Sequence, residues 1–210
     1  MRSAAAAFLV PAADAADRQP GPPALSVLSA LPCLSSVWRA DQWGRSAAVG
    51  GDGAALQRAS GHAALDAELP GGGWPAAGLT ELLLAAPGGG ELRLLAPALG
   101  ERSLLWIAPP FLPYAPALAA LGITLDRLTV VTPETAADAA WAAEQALRSG
   151  VLGAVLWWEA QAARVPTLPA TLRRLHLASM EGRTPLFALR PAAVRAQSSP
   201  APLRLTLEPT

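Results

Sequence analysis

Short continuous apolar runs alternate along the chain with longer segments that have helical spacing. The apolar runs predict buried strands at 79–84, 103–108, 128–131, 151–158 and 185–189. The segments with helical spacing predict helices over 64–69, 114–121, 132–149 and 168–180. Strands that are apolar throughout and alternate with helices are typical of a parallel sheet covered on both faces. We therefore expect an α/β fold, with a mostly parallel central sheet flanked by helices.

Two boundary signals refine this prediction. Thr132, followed by Pro133 and Glu134, has the features of a helix start, and Gly150 is a typical helix end. The last apolar segment, 203–207, alternates between apolar and polar residues. That alternation predicts an antiparallel edge strand at the C-terminus.

Composition divides the chain into three parts. Residues 1–23 are rich in Ala and Pro and have no sustained hydrophobic period. This composition predicts a disordered tail. The pattern over residues 24–54 predicts a helical arm and a linker, and residues 55–210 form the main domain.

Tryptophans mark the candidate partner contacts. In the arm, Val37, Trp38 and Trp43 have two interpretations: a helix packed on the core, or a docking segment for a partner protein. Trp74, in a Gly-Trp-Pro turn, is a further candidate because we expect that turn to be exposed.

Charge and residue usage exclude several function classes. The formal net charge is zero and the basic residues, all Arg, are spread thinly, so direct DNA binding is expected to be weak or absent. The lone Cys33 rules out a disulfide within the chain and suits a cytoplasmic protein. No apolar run reaches the length of a membrane-spanning helix, so no membrane association is expected.

A glycine-rich loop follows the strand predicted at 79–84. Such a loop, opening a helix, binds phosphates in nucleotide-binding folds when it has the pattern G-x-x-x-x-G-K-[ST]. On that pattern Ala85 takes the first glycine, Gly88 and Gly89 lie within the loop, and Gly90 takes the second glycine. Glu91 then takes the place of the lysine, and Leu92 the place of the hydroxyl that binds magnesium. A carboxylate repels a triphosphate and leucine cannot bind a metal, so we expect neither a nucleotide cofactor nor ATP hydrolysis.

Nothing else in the sequence supplies a catalytic or metal-binding group. Glu159 follows the strand that ends in Trp158, and we interpret it as a solvated charge at the strand end. Cys33, His62 and His176 lie in unrelated contexts. We nominate no catalytic residue and no metal ligand, and we expect a protein that is not an enzyme.

The order of these segments over about residues 60–207 resembles the RecA recombinase core. The matching positions include the Leu65-Asp66 pair and the segment Gly72-Gly73-Trp74-Pro75. This resemblance implies a RecA-like ATPase fold. Pro110 lies near the position of the catalytic Glu of RecA, and Trp158 at the position of its metal-binding Asp. The fold therefore carries over, while ATP hydrolysis and strand exchange do not.

A more specific resemblance, over about residues 36–207, rests on the segments LDAELPGGGWP, LTELL, WIAPPFLPYAPALAALGI and LRRLHLA. In these segments the chain resembles the ImuA family, the RecA-like accessory proteins of bacterial damage-induced mutagenesis. This resemblance implies a cytoplasmic role in the SOS response, in error-prone translesion synthesis, with three partners: ImuB, RecA, and the alpha subunit of an error-prone C-family polymerase. Two alternatives stay open: an inhibitor of cell division like SulA, and a RecA-like ATPase with a rearranged nucleotide site.

Overall fold

A computed structural model describes residues 57–100, 102–159 and 166–208. The strands are β1 (Gln57–Arg58), β2 (Trp74–Pro75), β3 (Gly78–Leu84), β4 (Leu104–Ile107), β5 (Leu128–Val131), β6 (Ala154–Trp158), β7 (Pro185–Pro191) and β8 (Leu203–Leu207). The helices are α1 (Ala63–Glu68), α2 (Glu91–Leu99), α3 (Ala115–Ala120), α4 (Ala136–Ser149) and α5 (Pro169–Glu181). Single turns of 3-10 helix lie at Leu125–Arg127 and Ala192–Ala196.

Six strands form one parallel sheet in the order β5-β4-β6-β7-β3-β8. The two shortest strands, β1 and β2, pair antiparallel in a separate sheet. The predicted α/β fold, with its parallel central sheet flanked by helices, is confirmed. Because all six strands run the same way, the loops after them, including the glycine loop after β3, leave the sheet at one edge, which we call the carboxyl edge.

Successive residues of each strand point to opposite faces of the sheet, and both faces are apolar. One face, with Leu82, Trp106 and Leu156, packs against residues of α2 and α3. The other face packs against α4 and α5 through Leu79 and Val155. Burial on both faces explains why the strands appear in the sequence as continuous apolar runs.

The predicted antiparallel direction of the last strand is wrong. β8 lies at the edge of the sheet as expected, but it pairs parallel to β3, with Thr80 opposite Leu203 and Leu84 opposite Leu207. The reason is the connection over 192–202, which contains a turn of 3-10 helix and is long enough to cross from the end of β7 to the start of β8. The alternation of apolar and polar residues along an edge strand reflects its partial exposure and does not fix its direction.

The predicted start of α4 is also wrong. The helix begins at Ala136, with Thr135 as the N-cap, whose hydroxyl accepts a hydrogen bond from the backbone N–H of Asp138 at 3.1 Å. The N-cap is Thr135 and not Thr132, because Asp138 supplies both the capped N–H and an acidic side chain in the first turn. The helix ends at Gly150, in the left-handed conformation, as predicted.

Trp74 is a core residue, so its prediction as an exposed partner contact is wrong. It is fully buried, and its ring packs edge-to-face on Phe187 with the ring centroids 5.6 Å apart. Pairing of β1 with β2 turns the Gly-Trp-Pro segment inward, onto the sheet. The other candidates for partner contact, Val37, Trp38 and Trp43, lie outside the described residues.

In the described part of the chain, none of the helices has the length and the apolar character needed to cross a lipid bilayer.

Candidate functional site

The glycine loop connects β3 to α2 at the carboxyl edge of the sheet. Gly88 and Gly90 have φ angles of 84° and 104°, in a region that residues with side chains rarely adopt. Gly90 is the N-cap of α2 and has no side chain with which to satisfy the first backbone N–H groups of the helix. The first N–H groups of α2 are therefore left for another residue or a ligand to satisfy.

Glu91, the first residue of α2, places its carboxylate in this loop. Its Oε1 accepts a hydrogen bond from the backbone N–H of Gly88 at 2.7 Å. The side chain is buried, with 4% of the residue exposed, on the side of α2 that also carries buried Leu95. A helix N-terminus favours a negative charge, so the chain's own carboxylate fills the role that a phosphate oxygen has in a nucleotide-binding loop.

The charge of Glu91 opposes a second anion at the same place. Two like charges about 4 Å apart repel by about 4 kcal/mol at the effective dielectric typical of a protein surface. Leu92 is partly buried against the hydrophobic cluster on that face of the sheet and offers no oxygen to a metal. Ala85, at the position of the first glycine, is exposed.

A proline-rich segment borders the glycine loop. Ala108, after β4, has a positive φ of 53°, which redirects the chain into Pro109–Tyr114. In that segment Phe111 lies against the loop: a Cβ built on Gly88 would be 3.7 Å from its ring. Phe111, Leu112 and Tyr114 are 64%, 95% and 70% exposed, so this segment presents an apolar surface beside the loop.

Trp158, which the RecA resemblance places at the metal-binding Asp, is an apolar core residue. It lies in the same hydrophobic cluster as Trp106, and the two rings pack edge-to-face with centroids 5.4 Å apart. Within the described ranges, no group of three or more His, Cys, Asp or Glu side chains could hold a metal ion.

The structure shows a buried ion-pair network that sequence reasoning missed. Arg190, on β7, is fully buried and donates to Oε2 of Glu159 at 2.8 Å and to Oε1 of Glu81 at 2.9 Å. Oε2 of Glu81 accepts from Nε of Arg204, on β8, at 2.7 Å. The interpretation of Glu159 as a solvated charge is therefore wrong, because its carboxylate is buried in this network. The available signal was a charged residue inside each of two apolar runs, GLTELLL and PLFALRP.

His176, on α5, holds the start of β3. Its Nδ1 accepts a hydrogen bond from the backbone N–H of Leu79 at 3.1 Å, and Ser179 accepts one from the N–H of Gly78 at 2.7 Å. Burial and, to a lesser extent, the charge of Arg173 lower the pKa of His176 below its ordinary value of 6.5. The neutral imidazole is the form that can accept the bond from Leu79.

Arg58 has a shifted pKa for similar reasons. Its guanidinium donates to the carbonyl of Gly153 at 3.1 Å. Burial, followed by repulsion from Arg102, lowers the pKa of Arg58 to about 10, so the group stays charged at neutral pH.

Comparison with known proteins finds likeness among solved structures. No family model matches the chain, and no curated protein matches it. A crystal structure of SulA from Pseudomonas aeruginosa is similar to the chain, with 28% sequence identity, and the match covers 53% of this chain and 96% of that one. The TM-score is 0.42, and a likeness this weak supports no conclusion about function.

Proposed function

We propose that this chain is a non-catalytic accessory protein of damage-induced, error-prone translesion DNA synthesis. In this proposal it binds ImuB, RecA or both, and helps to recruit the mutagenic C-family polymerase. The part in translesion synthesis rests on the sequence resemblance to the ImuA family, and the non-catalytic part rests on the geometry of the glycine loop.

The observation that carries the non-catalytic part is the position of the Glu91 carboxylate. It is bonded to the N–H of Gly88, at the helix N-terminus, where a nucleotide phosphate would have to bind. Leu92 and Trp158 add no metal ligand. In this proposal the fold offers surfaces to partners, and the loop, as far as the described residues show it, supplies none of the groups that ATP hydrolysis requires.

The experiment is a retention assay with the tagged full-length chain and purified ImuB, and separately with purified RecA, from one genome. We expect at least one of them to be retained, to an equal extent with and without ATP. RecA is tested both free and on single-stranded DNA, and a column with the tag alone is the control. Failure to retain either protein under all these conditions would refute the proposal.

Expression of the chain in cells distinguishes the alternative of a division inhibitor. Expression of the chain in cells without DNA damage should leave cell length unchanged if the chain acts in translesion synthesis. Filamentous cells, together with no retention of ImuB or RecA, would instead support an inhibitor like SulA.

A further inference from the structure

We propose that the glycine loop and Glu91 form a receptor for an arginine side chain presented by a partner protein. This inference rests on the proposed function in one respect, that the natural ligand is a protein. It goes further in naming the chemistry of the contact: a guanidinium paired with the Glu91 carboxylate and stacked on Phe111.

The first argument is the unpaired oxygen of Glu91. While Oε1 accepts from Gly88, Oε2 is buried and has no hydrogen-bond partner. Leaving a buried charged oxygen without a donor costs roughly 1–3 kcal/mol or more. A donor that reaches Oε2 recovers that free energy, so the site favours a ligand that donates hydrogen bonds and carries positive charge.

The second argument is access from solvent. Gly88, Gly89 and Gly90 are all exposed and have no side chains to block an incoming group. A Cβ built on Gly90 would meet no atom within 4 Å, so there is open space directly beside the start of α2. Oε2 itself is buried, so in this proposal the glycine backbones shift to admit the donor.

The third argument is the aromatic surface beside the glycine loop. Phe111 lies beside Gly88 with its ring largely exposed, next to exposed Leu112 and Tyr114. An aromatic face attracts a cation, and a planar guanidinium stacks on it while its edge pairs with a carboxylate. Lysine fits less well, because its ammonium is more strongly hydrated and has no plane to stack.

The test titrates the full-length chain with N-acetyl-arginine amide and follows backbone amide and aromatic NMR signals. We expect saturable shifts, at millimolar ligand, confined to Gly88–Glu91 and the ring of Phe111. Glu91→Gln should weaken this binding at least fivefold, and Phe111→Ala severalfold. Because Phe111 is exposed, the second variant keeps the test valid should Glu91→Gln disturb the fold.

The controls match each change elsewhere on the surface. Glu134→Gln removes an exposed carboxylate, also at the carboxyl edge, and Trp141→Ala removes an exposed aromatic ring from α4. Neither should change the titration. N-acetyl-lysine amide and N-acetyl-leucine amide are the comparison ligands, and both should bind more weakly than the arginine compound.

Three results would overturn the inference: no localised shifts, equal shifts in Glu91→Gln, or equal binding of the lysine or leucine compound. The retention assay separates this outcome from failure of the proposed function. If ImuB or RecA is retained equally by wild type and Glu91→Gln, the function stands and the arginine receptor is wrong. If neither is retained by wild type, the function fails, and the titration alone decides the receptor.

Discussion

Glu91 occupies the first position of α2, where its carboxylate accepts from the N–H of Gly88. Replacing it with Ala leaves that N–H and the helix N-terminus without an anion, so inorganic phosphate should bind there. At ten times its Kd, phosphate would add about 1.4 kcal/mol to the free energy of unfolding. Thermal unfolding of Glu91→Ala should therefore shift upward with phosphate, relative to NaCl of equal ionic strength.

Wild type and Glu134→Ala, which loses an exposed carboxylate, are the controls for this phosphate effect. Both should show only the general salt response. An equal response in all three proteins would mean that Glu91 does not occupy an anion site.

Arg190 links two buried carboxylates, so its loss should cost far more than the loss of a surface arginine. Arg190→Met leaves Glu81 without one of its partners and Glu159 without its charge partner, and we expect the free energy of unfolding to fall by about 3–5 kcal/mol. Arg148→Met removes an exposed arginine that pairs with Glu144, and should cost less than about 1 kcal/mol. Urea unfolding of both variants checks this, and similar losses would contradict the structural role of the network.

His176 makes the stability of the domain depend on pH. Since its pKa is lowered in the folded chain, the unfolded chain binds the proton more readily. The contribution of His176 is therefore complete above pH 6.5, its ordinary pKa, and is lost as the pH falls through 6.5 toward the lower folded value. Urea unfolding on both sides of pH 6.5 should show this loss, and His176→Gln, neutral at every pH, should show less of it. An unchanged pH profile in His176→Gln would mean that another titrating group causes the loss of stability at acid pH.

At the scale of elements, the side chain of Arg204 links β8 to the connection before it. Arg204 donates to Glu81 and also to the carbonyls of Val194, Arg195 and Gln197. Arg204→Met should therefore speed amide hydrogen exchange in 192–207 while leaving the central strands protected. Arg195→Met, which loses only an exposed side chain, is the matched control. Uniformly faster exchange across the sheet would show that the effect of Arg204 is global.

Much of the element pattern was predictable, because it depends on local spacing and on burial. The strand at 128–131 and the helix end at Gly150 lie where they were predicted, since a strand-forming run and a left-handed glycine are local signals. The predicted burial of that strand is wrong, because β5 lies at an edge of the sheet and none of its residues is buried. The direction of β8 was not predictable, because it depends on where the preceding connection crosses the sheet.

The candidate site was predictable in part. The spacing of the glycine loop gave the position of Glu91 and its conflict with a phosphate, which depends only on chemistry along the chain. The hydrogen bond to Gly88, the contact of Phe111 with the loop and the burial of Trp74 depend on tertiary packing. The pairing of Glu81 with Arg190 joins residues that are 109 positions apart, which no local pattern indicates.

At the scale of the whole molecule, the domain has a parallel sheet in which β3 leads into a glycine loop, with a carboxylate at the N-terminus of the helix that follows. The carboxyl edge of the sheet holds the buried Glu91 carboxylate close to the exposed Phe111–Tyr114 segment. In the proposed function, this makes the surface available to partner proteins at all times, independently of nucleotide.

The most direct test of this account is a calorimetric titration of the full-length wild-type chain with ATP and Mg²⁺ at equilibrium. We predict no saturable binding up to millimolar ATP, because the Glu91 carboxylate occupies the anion site. Saturable binding in the micromolar range would contradict the account and would support a RecA-like ATPase with a rearranged site.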